Sequence, residues 1–167
     1  RAQVLIEPAR RQLIAEHAAQ RVDLLFLVQD NPFVPPGREG LFLRGLHAGL
    51  HGDIVLALHL LLPQVENSIR EIFAEHGVIT SKLESDDTQD ERDLGWMLTH
   101  PEFANIFGAG MAFDLRGLLV ERFGLNIRND VAHGLLAESQ MITPGTVYAW
   151  WLVLRLCCIP IARSKQG

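Results

Sequence analysis

"DIVLALHLLLPQVENSIREIFAEHG", residues 53–77, is the stretch that decides the fold of this chain. Its apolar residues recur every three or four positions, which predicts one long helix with a buried face. Asp53 is suited to cap the start of that helix and Gly77 to end it, while Pro63 should kink or break it.

The sequence before this helix also has helical spacing. Residues 9–29, after Pro8, predict a long first helix. Residues 30–37 contain three prolines and a glycine and predict a loop. Residues 41–53 predict a short glycine-containing helix or a turn-rich segment that leads into the long helix.

The sequence after this helix contains a polar loop and then further segments with helical spacing. Residues 81–93 are polar and acidic and predict an exposed loop, and short helical pieces follow. Residues 111–124 predict a helix that ends at a glycine, and residues 143–164 predict a strongly apolar terminal helix. No alternating run and no Asn-Gly hairpin signal is present. The fold class is therefore predicted to be all-α, a helical bundle of about five main helices plus short helical pieces.

Length and composition predict a single domain. The chain has 167 residues, of which 48% are apolar, so it can bury a core without disulfides or metal. It begins at Arg1 and has no leader-like segment, so we expect residues 1–167 to be excised from a longer protein with flanking domains. Adjacent Cys157 and Cys158 lie in an apolar helical pattern and are expected to be buried thiols in a reducing, cytoplasmic compartment.

The apolar runs predict core helices and no membrane contact. Residues 54–62 and 147–161 are interrupted by His59, Arg155 and Pro160. They fall short of the roughly 18 to 20 uninterrupted apolar residues that a membrane span needs. The formal charge of -5 argues against binding nucleic acid over the whole surface, because that mode needs many cations. A local phosphate site remains compatible with that charge.

Chemistry-bearing residues concentrate in "LNIRNDVAHGLLA", residues 125–137. In a helix, Asn129 and His133 are i,i+4 neighbours, and the long Arg128 side chain can approach the same cleft. Asn126 could cap this helix and leave free N–H groups beside Arg128 for a phosphate. Histidine can move protons near neutral pH, and arginine can stabilise a phosphate whose charge grows in the transition state. These residues suffice for metal-free RNA cleavage by the 2′-hydroxyl.

A structural interpretation of the same residues stays open. Arg128 would then pair with Asp130 or another acid, His133 would donate a hydrogen bond to the backbone, and Gly134 would permit close helix packing.

The motif "IRNDVAHG", residues 127–134, resembles the signature of the HEPN superfamily, in which an arginine precedes a histidine by four to six intervening residues. More narrowly, it resembles the RNxxxHG motif of an uncharacterised domain family that includes the endoplasmic-reticulum membrane-associated RNA degradation protein. Residues 42–73, "FLRGLHAGLHGDIVLALHLLLPQVENSIREIF", are similar to the other recognisable block of that family.

This resemblance implies an HEPN-like helical domain and a metal-independent ribonuclease. Arg128 would orient and stabilise the scissile phosphate, His133 would be the acid or base, and Asn129 would position either of them. The resemblance also implies a homodimer in which both copies of the motif face one cleft, with RNA as the partner. Some relatives carry a modified tyrosine two residues after the histidine, but Leu135 occupies that position here.

Glu66 and Arg70 are i,i+4 neighbours on the helix predicted over residues 53–77, which contains Pro63. The simpler interpretation is an intrahelical ion pair. The sharper hypothesis is that Glu66 points into the cleft and orients Arg128 or His133.

Other kinds of site lack their defining residues. His47 and His51 have the spacing of two metal ligands, but no glutamate lies between them and Gly49 weakens their helix, so we predict no metal site. Neither a Gly-x-Ser-x-Gly elbow nor a Gly-Lys-Ser/Thr loop is present, and no cofactor is expected. The three tryptophans are assigned to core packing: Trp96, Trp150 and Trp151.

Two hypotheses follow from the sequence. The first is a metal-independent endoribonuclease or RNA-processing domain with Arg128 and His133 as the catalytic pair. The second is a non-catalytic helical domain in which the same residues bind RNA, a nucleotide or another protein.

Overall fold

Helices dominate the computed structural model, which describes residues 2–83, 89–121 and 124–164. The content is 73% helix and 2% strand, which confirms the all-α class. In chain order the α-helices of the described residues are α1 (Glu7–His17), α2 (Glu39–Leu50), α3 (Ile54–Glu75), α4 (Leu94–Thr99), α5 (Pro101–Phe107), α6 (Ala109–Leu119), α7 (Ile127–Ala132), α8 (Glu138–Met141) and α9 (Pro144–Ser164). Five of these have eleven residues or more and the other four are short pieces, as the sequence predicted.

Helix α3 forms the centre of the core and contacts α2, α9, α7, α4 and α8. Its fully buried side chains recur at helical spacing: Ala57, Leu58, Leu61, Val65, Ile69 and Phe73. Asp53 caps the helix as predicted, since its Oδ1 accepts a hydrogen bond from the Leu56 N–H at 3.0 Å. Gly77 follows the helix with φ +73°, which glycine adopts without strain. The helix continues through Pro63 without a break, so tertiary packing compensates for the lost backbone hydrogen bond.

The glycines of α2 allow close packing and do not interrupt the helix. A Cβ at Gly45 would lie 2.5 Å from Leu61 Cγ, and one at Gly49 would collide with the Trp150 ring. These positions let α2 approach α3 and α9 at short distance. Of the two alternatives predicted for residues 41–53, the glycine-containing helix is confirmed, and it has twelve residues, Glu39–Leu50.

The prediction of one long helix over residues 9–29 is wrong. A π-helical turn (Ala2–Ile6) precedes α1, and a 3₁₀ helix (Arg21–Leu27) follows it. Ala18 ends α1 with a left-handed backbone, φ +45°. The N–H of Gln20 then donates to the Asp23 carboxylate at 2.8 Å and starts the 3₁₀ helix, so local capping overrides the apolar periodicity.

The acidic segment forms strands where the sequence predicted only a loop. Strand β1 (Ser81–Leu83) pairs antiparallel with β2 (Gln89–Glu91) in the register Ser81↔Glu91, Lys82↔Asp90 and Leu83↔Gln89. Three-residue strands are too short to show alternation, and residues 84–88 of the predicted loop lie outside the described residues. The hairpin is held to the helices by the Arg70 side chain, whose Nε lies 3.1 Å from Glu91 Oε2.

A tight turn after α6 positions α7, which is the motif helix because it carries residues 127–132 of the motif. Helix α6 ends at Leu119, whereas the sequence predicted residue 124, and residues 122 and 123 lie outside the described residues. Gly124 then packs directly on the Gly117 carbonyl, which a Cβ would block. The Leu125 N–H donates to the same carbonyl at 3.0 Å. This contact turns the chain back and places α7 against α3 and α6.

Helix α9 is long and apolar. Among the described residues, Pro144–Arg163 is one stretch that by length and composition could cross a membrane, with mean hydropathy 1.5 and 39% of it buried. The core helix of a soluble protein meets the same criterion, and Trp150, Leu152 and Leu156 are buried in the core here. From the sequence, the apolar run over residues 147–161 was predicted to be too short for a membrane span. The absence of membrane contact remains a prediction. Burial raises the pKa of the free Cys157 thiol to about 12, and Cys158 is half-buried.

Candidate phosphate-binding site around Arg128

The short helix α7 carries the motif residues on a fixed support. Ile127 is buried in the core and anchors the first turn. Asn126 precedes it with a left-handed backbone, φ +47°, a conformation that asparagine tolerates better than most residues. Asn126 was predicted to cap α7, but its side chain makes no capping hydrogen bond. With only six residues, α7 also lacks the long dipole that the phosphate argument assumed.

Arg128 is held by contacts on two sides. Its Nε and Nη2 donate to Glu66 Oε2 at 3.1 and 2.9 Å, and its Nη1 donates to Asn129 Oδ1 at 2.9 Å. The Arg128 side chain is 27% exposed and that of Glu66 is 15% exposed, so solvent screens this ion pair only in part. A guanidinium has five N–H donors, and three are used here. The other two donors make no hydrogen bond with the described residues.

The two asparagines connect Arg128 to Asp130. Asn129 Nδ2 donates to Asn126 Oδ1 at 2.8 Å, and Asn126 Nδ2 donates to Asp130 Oδ1 at 3.2 Å. The structural interpretation named Asp130 or another acid as the partner of Arg128. That partner is Glu66, which is 62 residues away in sequence, whereas Asp130 bonds to Asn126.

Glu66 makes both contacts that the sequence proposed for it. Its Oε1 lies 3.3 Å from Arg70 Nη2, which is the intrahelical pair, and its Oε2 binds Arg128. The same Arg70 nitrogen donates to the Arg92 carbonyl at 3.1 Å. Glu66 is thus shared between two arginines and links the motif helix to the segment that enters α4. Its hypothesised influence on catalysis remains a prediction.

His133 lies at the end of α7 and faces solvent. Its N–H donates to the Asn129 carbonyl at 2.9 Å, which completes the helix. The imidazole makes no hydrogen bond with the described residues, so the predicted bond from His133 to the backbone is not formed. Gly134 has φ +64°, and the space where a Cβ would lie is open. It therefore forms a turn. The structural interpretation, in which Gly134 permits close helix packing, is wrong on this point.

A small cavity of about 120 Å³ lies beside Arg128. Its lining residues come from the start of α4, the end of α6 and α7: Asp93, Leu94, Gly95, Val120, Arg128 and Asn129. His133 does not line this cavity. The structure therefore brings Arg128, Asn129 and Glu66 together, and places His133 one helical turn further along the same chain segment.

The α4 side of this site was missed from the sequence. Asp93 caps α4, since its Oδ1 accepts a hydrogen bond from the Trp96 N–H at 2.8 Å. An aspartate just before an apolar helical stretch is a recognisable cap signal. Nothing in the sequence pairs this helix start with α7, because that contact depends on the fold.

His47 on α2 and His51, the residue that follows α2, form a ring pair. Their ring centroids are 4.3 Å apart, and His51 Nε2 lies 2.9 Å from the Ala19 carbonyl. Burial lowers the pKa of His47, and the neighbouring His51 and Arg21 lower it further. Within the described ranges, no group of three or more His, Cys, Asp or Glu residues is placed to hold a metal ion.

No protein-family model, no curated protein and no solved structure matches this chain. The family resemblance of residues 127–134 and the HEPN-like arrangement of the helices therefore remain predictions, and the geometry around Arg128 is the basis for a functional proposal.

Proposed function

We propose that this domain is a metal-independent endoribonuclease of HEPN type that acts as a homodimer, with Arg128 and His133 as its catalytic pair. In the proposed reaction the 2′-hydroxyl oxygen of one nucleotide attacks the adjacent phosphorus and the bond to the 5′-oxygen breaks. One proton leaves the 2′-hydroxyl and one reaches the 5′-oxygen. The products are a 2′,3′-cyclic phosphate and a 5′-hydroxyl.

The observation that carries the proposal is the way Arg128 is held. Glu66 and Asn129 fix its guanidinium from two sides, and two of its N–H donors make no hydrogen bond with the described residues. Donors that are oriented before the substrate arrives stabilise developing charge without a cost of reorganisation. The cavity of about 120 Å³ beside Arg128 offers space for an incoming phosphate group.

His133 supports the proposal by its exposure and its position. An exposed imidazole can exchange protons with a substrate near neutral pH. It is the residue directly after the six-residue helix that carries Arg128.

The surroundings of the motif support a homodimer. Three large apolar side chains near it are exposed: Leu125 at 49%, Leu135 at 67% and Ile142 at 59%. Leu125 also packs on Gly145, three residues after Ile142. Exposed apolar side chains that lie close together favour a protein interface. A second copy on this face would bring a second histidine to the phosphate.

The test is cleavage of a mixed RNA in excess EDTA by the wild type, Arg128→Ala and His133→Ala, all shown to be folded. Since general acid–base catalysis contributes about 10²- to 10⁴-fold, His133→Ala should lose at least about a hundredfold in rate. Matched controls are Arg44→Ala and His59→Ala, both exposed and on other helices. Activity that survives in both motif variants, or that falls equally in the controls, would contradict the proposal.

The second candidate function is RNA binding without cleavage. One observation favours it: no described residue bonds to the His133 ring or fixes its orientation, and the ring does not line the cavity beside Arg128. In that case His133→Ala should retain RNA affinity while Arg128→Ala loses it, and no variant should show cleavage.

A further inference from the structure

Arg92 directly precedes Asp93 of the cavity wall and makes no ion pair with a carboxylate of the described residues. Its guanidinium carbon is 4.9 Å from the centre of the Trp96 ring, and its buried Nε makes no hydrogen bond with the described residues. The Trp96 ring is in turn packed against His100, with centroids 4.9 Å apart. The Arg92 side chain is therefore held flat on an aromatic support, which orients its terminal nitrogens.

The charge on Arg92 is not paired with either of the acidic residues that flank it in sequence. The Glu91 carboxylate lies 3.1 Å from Arg70 Nε. The Asp93 carboxylate accepts the Trp96 N–H and caps α4. Both neighbouring acids are thus committed to other groups, so none of the described carboxylates competes with an external anion for Arg92.

Arg92 is connected to Arg128 through the backbone and through Arg70. Arg70 Nη2 contacts the Arg92 carbonyl at 3.1 Å and Glu66 at 3.3 Å, and Glu66 binds Arg128. Asp93, the residue after Arg92, lines the cavity that Arg128 also lines. The backbone of Arg92 and the side chain of Arg128 are therefore joined by a continuous set of polar contacts, and Arg92 directly precedes a residue of the cavity wall.

We propose that Arg92 binds a second phosphate of a single RNA strand, next to the phosphate held by Arg128. This inference rests on the proposed function, because it assigns a further contact to the same substrate. A single strand is favoured because its backbone can bend to place successive phosphates on two fixed cations. Trp96 supports Arg92 from behind and sets its orientation.

The test uses the whole domain and a short 2′-O-methyl RNA, which binds but lacks the attacking hydroxyl. Arg92→Gln should weaken binding about tenfold, since a charge-assisted contact to phosphate is lost. The slope of log affinity against log salt should fall by about 0.7, the value for one phosphate contact to a single strand. The rate of cleavage of unmodified RNA at saturation should change little, because Arg92 does not hold the reacting phosphate.

A matched control is available in the second arginine–tryptophan pair of the chain. The Arg155 guanidinium lies 5.7 Å from the centre of the Trp151 ring on α9, away from this site, so Arg155→Gln should leave both affinity and salt slope unchanged. Arg92→Lys, which keeps the charge, should keep the salt slope and serves if Arg92→Gln fails to fold. An unchanged slope in Arg92→Gln, with RNA still bound and cleaved, overturns this inference and leaves the nuclease intact. A wild type that neither binds nor cleaves RNA overturns both.

Discussion

Replacing Glu66 by glutamine removes a carboxylate that joins α3 to α7. The carboxylate accepts two bonds from Arg128, at 3.1 and 2.9 Å, and lies 3.3 Å from Arg70. Breaking a fully buried ion pair costs about 3 to 5 kcal/mol, whereas exposed pairs contribute about 0 to 1 kcal/mol. Because the Arg128 and Glu66 side chains are 27% and 15% exposed, we expect Glu66→Gln to lose about 1 to 2 kcal/mol of unfolding free energy.

Urea unfolding followed by circular dichroism measures this loss. Glu71→Gln on the same helix is the matched control, since Glu71 is exposed and makes no ion pair with the described residues. A double-mutant cycle with Arg128→Gln isolates the pair, and neighbours in contact couple by about 0.5 to 3 kcal/mol. If the effects of Glu66→Gln and Arg128→Gln simply add, Glu66 does not hold Arg128 and the account of the site is wrong. Glu66→Gln should also slow RNA cleavage, because Arg128 loses its orientation.

Two further predictions concern stability. Gly49→Ala should lower the free energy of unfolding by about 1 to 3 kcal/mol because the new Cβ would collide with the Trp150 ring. Gly40→Ala on the same helix has open space and should be neutral or stabilising. Thermal unfolding measures both, and equal melting temperatures of the two variants would contradict the packing argument. The side-chain hydrogen bond from Arg10 lowers the pKa of Glu7 to about 2, so this pair stabilises the fold above pH 4.5 and the benefit is lost as the pH falls towards 2. Allowing for solvent screening we expect about 1 to 2 kcal/mol, and unfolding measured from pH 7 to pH 2 should lose less stability in Glu7→Gln than in the wild type; parallel curves would refute it.

The sequence predicted the parts of the fold that depend on strong periodicity and local caps. The central helix with its Asp53 cap and Gly77 end is an example, since both signals act within a few residues. The prediction of one long helix over residues 9–29 was wrong because a local hydrogen bond opposes the periodicity. That bond is at Gln20, where a new helix begins inside an apolar pattern. The sequence also failed to predict the hairpin, whose three-residue strands carry no pattern of their own.

The site was predictable to the extent that its residues share one helix. Arg128, Asn129 and Asp130 are adjacent in sequence, and their proximity follows from that alone. The choice of Glu66 over Asp130 as the partner of Arg128 depends on how α3 and α7 pack, which spacing within either helix does not specify. Arg92 and the cavity beside α4 depend on the same packing and left no sequence signal.

The most direct test of the central claim is to follow one RNA, and the same RNA with a single 2′-O-methyl group at the cleaved nucleotide, in excess EDTA with the wild-type domain. The account predicts that the unmodified RNA yields a 2′,3′-cyclic phosphate end and that the modified nucleotide resists cleavage. Cleavage that continues at the modified nucleotide, or that stops when EDTA is added, would contradict metal-free attack by the 2′-hydroxyl.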